Sequence, residues 1–366
     1  MRGIMVHSLM SRGAGFDEAY RTATAVRDKI RGRELVQREE LAQLVQELLG
    51  SALEAPPAVL GMPPAIQVRD GNATTPFSKG VLAQSLLAAA IDPDEAFAVA
   101  RDIETSFAAR RIREISRNEL RAIAQETLGA KLGPRVGQRY RAWREFQETG
   151  RPLILLLGGA AGVGKSALAQ AVATRLGITR VSSTDAIRQV MRIMLSKELM
   201  PEIHSSSYDA HRVMPALGDS VDPVLEGFRA QATAVSVGAR AMIERAVEEN
   251  TSMLLEGVSI LPGLVNPARH APAAHVIFLA VATLDPEAYR SRFSARASEA
   301  SRRPPHRYLE NLDAILRIQD HILELAEAQE LPIVDNRSFD ESVLSILRHV
   351  TESLRKQGGF GGTSSD

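Results

Sequence analysis

Residues 159–166 read Gly-Ala-Ala-Gly-Val-Gly-Lys-Ser, a G-x-x-x-x-G-K-S spacing in which each residue type has a physical task. Glycines let the backbone fold closely around a phosphate with its N–H groups turned inward, and a helix beginning near Lys165 adds the positive end of its dipole. The run Gly159, Ala160, Ala161, Gly162, Val163, Gly164, Lys165 and Ser166, with Ala167 behind it, therefore predicts a cradle for ATP. Lys165 would reach the β- and γ-phosphates, and Ser166 would ligate Mg²⁺.

Two carboxylates stand at places where they could complete a site. Asp185, in SSTDAIRQVMR, lies where a strand gives way to a helix. It reads either as a helix cap or as the group that orients an acceptor hydroxyl and takes its proton. Glu256, near the end of the apolar run SMLLEGV, reads either as a carboxylate directed at Mg²⁺ or the acceptor, or as a structural one. Arg188 and Arg192 are one helical turn apart and could offer two guanidinium groups to an anion. Between Arg290 and Arg307 the chain also carries Arg292, Arg296, Arg302 and Arg303 against the single acid Glu299. That segment is either a solvated helix face or a lid over the triphosphate, with Arg296 and Arg302 acting on the charge in transfer.

Positioning these groups requires strands that end where the chemistry begins. LILLL at 153–157 is continuously apolar and bounded by glycine, the pattern of a strand buried on both faces of a parallel sheet. A helix over 165–176 closed by Gly177 should follow, then strands at 179–182, in SMLLEGV, at 275–280 and at 331–334. A long helix between 179–182 and SMLLEGV carries Leu225, Phe228, Ala232, Val235, Ala239, Met242 and Ala246 at helical spacing. The expected fold is α/β, a doubly wound five-stranded parallel sheet of order 2-3-1-4-5, with ligands bound at the carboxyl edge.

The chain has 366 residues, no cysteine, and equal numbers of basic and acidic side chains, 44 of each. Zero cysteine excludes disulfides, thiolate metal sites and cysteine nucleophiles. Zero net charge gives no whole-molecule field for nucleic acid or an anionic membrane, so neither is expected as a partner. The longest apolar run, Leu153–Val163, is far below the ~20 residues that span a bilayer. The start has no apolar h-region with a cleavage site, so a cytoplasmic location is expected.

Prolines at 55–64 and the Gly-Arg-Pro at 150–152 suggest domain boundaries. The region before the second boundary is duplicated at a spacing of 77 residues: Ser8/Ser85, Leu9/Leu86, Asp17/Asp94, Glu18/Glu95 and Tyr20/Phe97 correspond. Each copy predicts a small helical unit, with Asp17 or Asp92 near a helix start and Gly50 or Gly129 near a helix end. Only the second copy is preceded by a hairpin signal, with Ile66 and Val68 alternating before Asp70-Gly71. The expected divisions are a truncated helical repeat at 1–54, a proline-rich linker at 55–64, a second repeat at 65–148, an α/β domain at 151–356 and a disordered tail at 357–366.

The second repeat resembles the ATP-cone, a regulatory nucleotide-binding module, through VRDG at 68–71, PF at 76–77, EIS before Glu119 and RYRAWR at 139–144. More of the chain is similar to the 2-phosphoglycerate kinase family. The likeness rests on GGAAGVGKS, STDAIRQVMR, SKELMPEIHSSSYDA at 196–210, LLEGVSILPG at 254–263 and RFSARA at 292–297. That resemblance implies transfer of phosphate from ATP to the free hydroxyl of 2-phosphoglycerate. The acceptor is a small phosphorylated acid, so Arg188, Arg192, Lys197, Arg292 and Arg303 would supply cations. Asp185 and Glu256 would supply carboxylates, and His204, Ser205, Ser206 and Tyr208 would add neutral donors. A kinase of another phosphorylated polyol, such as an inositol phosphate, and an ATP-sensing regulator are the competing readings. The amino-terminal region is the candidate for self-association.

Overall fold

Strand β4 (Leu153–Gly158) organises the protein, and its alternation explains how. Leu153, Leu155 and Leu157 enter one hydrophobic core, and Ile154 and Leu156 enter another on the opposite face. All five are at most 1% exposed, each burial contributing about 1.5–3 kcal/mol. In this computed structural model, residues 9, 16–30, 38–49, 66–214, 222–285, 287–291 and 306–358 are described. The linker expected at 55–64 lies outside them.

Two compact units divide the chain after Ala65. In the first, helices α1 (Phe16–Lys29) and α2 (Arg38–Leu49) pack together, with Lys29 paired to Glu47 at 3.6 Å.

The second unit begins with a hairpin, β1 (Gln67–Asp70) and β2 (Ala73–Pro76), in which Val68 opposes Thr75. Helices α3 (Lys79–Leu87) and α4 (Pro93–Ala109) follow, and β3 (Glu114–Ser116) pairs in parallel with β1. Asp92 caps α4 as its position suggested, accepting from the Asp94 N–H at 2.9 Å. Ser116 and Glu119 form a capping box that starts α5 (Arg117–Leu132). Gly129 is near its end, as expected: the helix continues to Leu132 and stops at Gly133-Pro134. Gly129 also lies against Gly137 of α6 (Pro134–Glu148), whose missing side chain lets the two helices approach closely.

The boundary expected at 148–151 falls inside this second unit. Trp143 and Phe146 at the end of α6 are buried in the same cluster as Leu153, Leu176 and Leu354.

Around β4 the predicted five-stranded parallel sheet is present. Its other strands are β5 (Arg180–Ser183), β6 (Met253–Gly257), β7 (His275–Ala282) and β8 (Ile333–Asp335), in the order β5-β6-β4-β7-β8. Counted from β4, that is the expected 2-3-1-4-5. Strand β5 starts one residue later than the sequence pattern suggested. The helices are α7 (Lys165–Leu176), α8 (Thr184–Met194), α9 (Pro223–Glu248), α10 (His306–Glu310), α11 (Leu312–Ala328) and α12 (Phe339–Gly358). Helix α12 runs through Gly358, past the expected start of the tail at 357; the rest of that tail lies outside the described residues. Of the predicted apolar positions on α9, Phe228, Ala232, Val235, Ala239 and Ala246 are buried. No described helix is long and apolar enough to cross a membrane.

Three histidines in this unit have protonation held below the ordinary value of 6.5 by burial: His275, His321 and His349. His321 is 6% exposed and accepts from the Arg229 guanidinium at 3.1 Å, a contact that needs neutral imidazole. With folded values depressed, the unfolded chain binds more protons in the window just below pH 6.5. Stability from this source is complete above that pH and is lost as the pH falls. Thermal unfolding from pH 7.5 to 5.5 should therefore show a falling midpoint, and His349→Gln should flatten the slope. A midpoint that rises on acidification would contradict this.

Candidate active site

The phosphate loop leaves β4 at Gly158 and enters α7 at Lys165, as its sequence predicts. Gly164 sits at φ 90°, a left-handed conformation costly for any residue with a side chain. Two donors from segments that follow β7 and β8 hold the loop's carbonyls outward. The Tyr289 hydroxyl donates to the Ala161 carbonyl at 2.6 Å, and the Asn336 amide donates to the Val163 carbonyl at 2.7 Å. Loop N–H groups are thereby left to face a ligand. Ala160 and Val163 are buried beneath the loop, and Ala167 is exposed on the first turn of α7.

Lys165 is only 8% exposed, and its ammonium donates to the Ala160 carbonyl at 2.8 Å. Ser166 donates its hydroxyl to Glu256 at 2.7 Å, across 90 residues of sequence. Glu256 is 6% exposed and reaches this point because β6 runs beside β4, with Glu256 opposite Leu157. A hydroxyl and a carboxylate together are the hard oxygen donors that suit Mg²⁺, which takes the rest of its octahedron from phosphate and water. Among the described residues no cluster of three or more His, Asp or Glu could hold a metal by itself.

At the end of β5, Ser183 rather than Asp185 caps α8, its hydroxyl accepting from the Ala186 N–H at 3.2 Å. The capping alternative for Asp185 is thus replaced. Asp185 lies in the first turn, half exposed, and accepts from Arg188 at 3.2 Å. A second nitrogen of Arg188 donates to the Ser205 carbonyl.

One cleft gathers Ala161, Gly162, Gly164, Lys165, Ser166, Asp185, Arg188, Tyr208 and Glu256. Arg192, Lys197 and His204 are not among its lining residues. Arg192 is a turn further along α8, about 6 Å from Arg188 along the axis, and pairs with Gln189 instead. Lys197 is exposed in the following loop. The His204 ring bonds the Leu195 carbonyl at 2.9 Å, which fixes the loop rather than offering a donor to the cleft. Arg292, Arg296, Arg302 and Arg303 lie outside the described residues; Arg290, at the near end of that segment, pairs with Glu287 at 2.9 Å.

Ser206 lines the cleft as well, and sequence reasoning missed Ser207, Gln231 and Tyr308 as lining residues. Tyr208 and Tyr308 meet edge to face with centroids 6.0 Å apart. A hydroxyl-rich wall thus shares the cleft with the phosphate loop and with Asp185 and Arg188.

No protein-family model matches the chain. It is 38% identical over 293 residues to a 2-phosphoglycerate kinase from Methanopyrus kandleri, covering 80% of this chain and 88% of that one. It is 38% identical over 297 residues to a 2-phosphoglycerate kinase from Methanothermobacter thermautotrophicus, covering 80% and 96%. Among solved structures, a gluconokinase from Sinorhizobium meliloti 1021 aligns with a TM-score of 0.32 at 15% identity, covering 56% of this chain and 97% of that one. A phosphate loop at the carboxyl edge of a five-stranded parallel sheet, together with relatives matched over most of both chains, leads to one conclusion: this chain belongs to the 2-phosphoglycerate kinase family.

Proposed function

We propose that the protein transfers the γ-phosphoryl group of ATP to the free hydroxyl of 2-phosphoglycerate, giving 2,3-bisphosphoglycerate and ADP. The observation carrying this reading is the sharing of one cleft by the phosphate loop and the Asp185–Arg188 pair. Loop N–H groups and Lys165 hold the nucleotide phosphates, and Lys165 stabilises charge as the phosphoryl group moves. Asp185 orients the acceptor hydroxyl and takes its proton. Arg188 and the hydroxyls of Ser206, Ser207 and Tyr208 receive the acceptor's carboxylate and phosphate. Mg²⁺, held by Ser166 and Glu256, would neutralise charge on the β- and γ-phosphates. Arginines of 292–303 are the further cations that an acceptor of roughly three negative charges calls for. The proposed setting is the cytoplasm.

Residues 65–148 we propose to be an ATP-cone-like domain. Between the hairpin and α5–α6 lies a second cavity of about 440 Å³, lined by apolar Phe77, Val81 and Leu82 and by Arg117, Arg121 and Arg144. Burial, with Arg121 and Arg117 beside it, lowers the affinity of Arg144 for its proton, a cost that an anion would relieve. Arg69 is turned away to Glu114, at 3.3 Å.

Steady-state kinetics on purified protein test the reaction. ATP with 2-phosphoglycerate should give ADP and a bisphosphorylated product identified by mass, and glycerate without the phosphate should be at least 100-fold poorer in kcat/KM. Glycerate as the better acceptor would defeat the reading. Equilibrium dialysis should count two ATP per chain; one per chain would remove the cone-like assignment.

A further inference from the structure

The hydroxyl-rich wall of the cleft is a short turn, Ser205–Tyr208, between two 3₁₀ turns at Pro201–His204 and Ala210–Val213. Such a segment has little regular hydrogen bonding to fix its position. Two helices reach it from different sides and converge on one atom, the Ser205 carbonyl oxygen. Arg188 of α8 donates to it, and so does the side-chain amide of Gln231 of α9, at 3.0 Å. The same Gln231 amide nitrogen donates to the Glu202 carbonyl at 2.5 Å. Both partners are carbonyls, so only one orientation of the Gln231 amide satisfies them. Gln231 is 1% exposed, a depth at which an amide stays only when it is paired.

The other flank of the turn is fixed from the same face of α9, one helical turn earlier. Gly227 lies so close to the chain at His211 that a Cβ there would be 2.3 Å from the His211 nitrogen. Two positions on α9, four residues apart, therefore seat both flanks of the wall, and neither belongs to the phosphate loop.

We infer that Gln231 is a positioning residue for acceptor recognition. With Arg188 it clamps the Ser205 carbonyl and so sets the distance of Ser206, Ser207 and Tyr208 from the phosphate loop. This rests on the proposed reaction and deepens it. Arg188 then has two tasks: it faces the acceptor with part of its guanidinium and holds the acceptor wall with the rest.

The test is the split between the two substrates. In Gln231→Leu, which keeps the volume and removes both donors, acceptor KM should rise at least tenfold while ATP KM stays within twofold. Gln231→Glu, nearly identical in shape but placing a carboxylate beside two carbonyls, should be worse than leucine for the acceptor and equally mild for ATP. Gly227→Ala should reproduce the selective rise by displacing the other flank. A general structural role would raise both KM values together or lower the unfolding midpoint without selectivity, and either result overturns the inference. So does an acceptor KM within twofold of wild type in Gln231→Leu. The reaction assignment fails separately, if the wild-type protein turns over a different phosphorylated acid. The variants are then read on that acceptor by the same criteria.

Discussion

Replacing Lys165 with alanine is expected to lower kcat by about 10²–10³, the usual loss when one preorganised charge is removed from a transition state. Lys165 is the cation of the phosphate loop and is nearly buried, so its field at the γ-phosphate is little screened by water. Its ammonium already lies at the loop, where it donates to the Ala160 carbonyl at 2.8 Å. The fold should survive. Helix α7 is held by Leu168, Val172 and Leu176 against the core rather than by its first residue. Circular dichroism should be unchanged while turnover collapses, and a variant within tenfold of wild type would remove this loop from the chemistry.

Asp185→Asn is the second large effect, with kcat lowered by about 10²–10⁴ through loss of the proton acceptor. This substitution keeps the shape of the side chain and leaves the helix start intact, because Ser183 does the capping. Loss of a negative charge in the first turn costs only about 0.3–1 kcal/mol through the helix dipole. ATP KM should stay within twofold, since the nucleotide is held by the loop. Full activity in the asparagine variant would show that Asp185 serves only to pair with Arg188.

What could be read from the sequence was what the chain builds locally. A strand, a glycine-rich turn and a helix within 24 consecutive residues, 153–176, carry their pattern in adjacent residue types, and the structure places each where expected. Sheet order was legible because few arrangements of five β-to-α units put a phosphate loop at a switch point. Glu256 was legible from its place at a strand end, though its bond to Ser166 spans 90 residues.

Contacts to backbone carbonyls leave no such trace. Gln231 bonds groups 26 and 29 residues away, and neither bond depends on which side chains those residues carry. Tyr289 and Asn336 hold the phosphate loop in the same manner. Helical spacing misled for Arg192, because one turn along α8 carries a side chain past the edge of the cleft. Gly129 does lie near its helix end, but its contact with α6 was not legible: glycine serves helix contact as well as helix termination, and composition does not tell the two apart.

Trp143 is the only tryptophan in the chain, and it is 3% exposed where α6 meets the parallel-sheet core. Its ring lies 5.4 Å from that of Phe146, which in turn meets the ring of His275 on β7. The one tryptophan therefore stands at the joint between the helical region and the parallel-sheet core. Its emission, excited at wavelengths where the five tyrosines do not absorb, reports on that joint: blue-shifted while the seam is dry, shifting red as water enters. Opening of the seam on unfolding can thus be followed optically without a label.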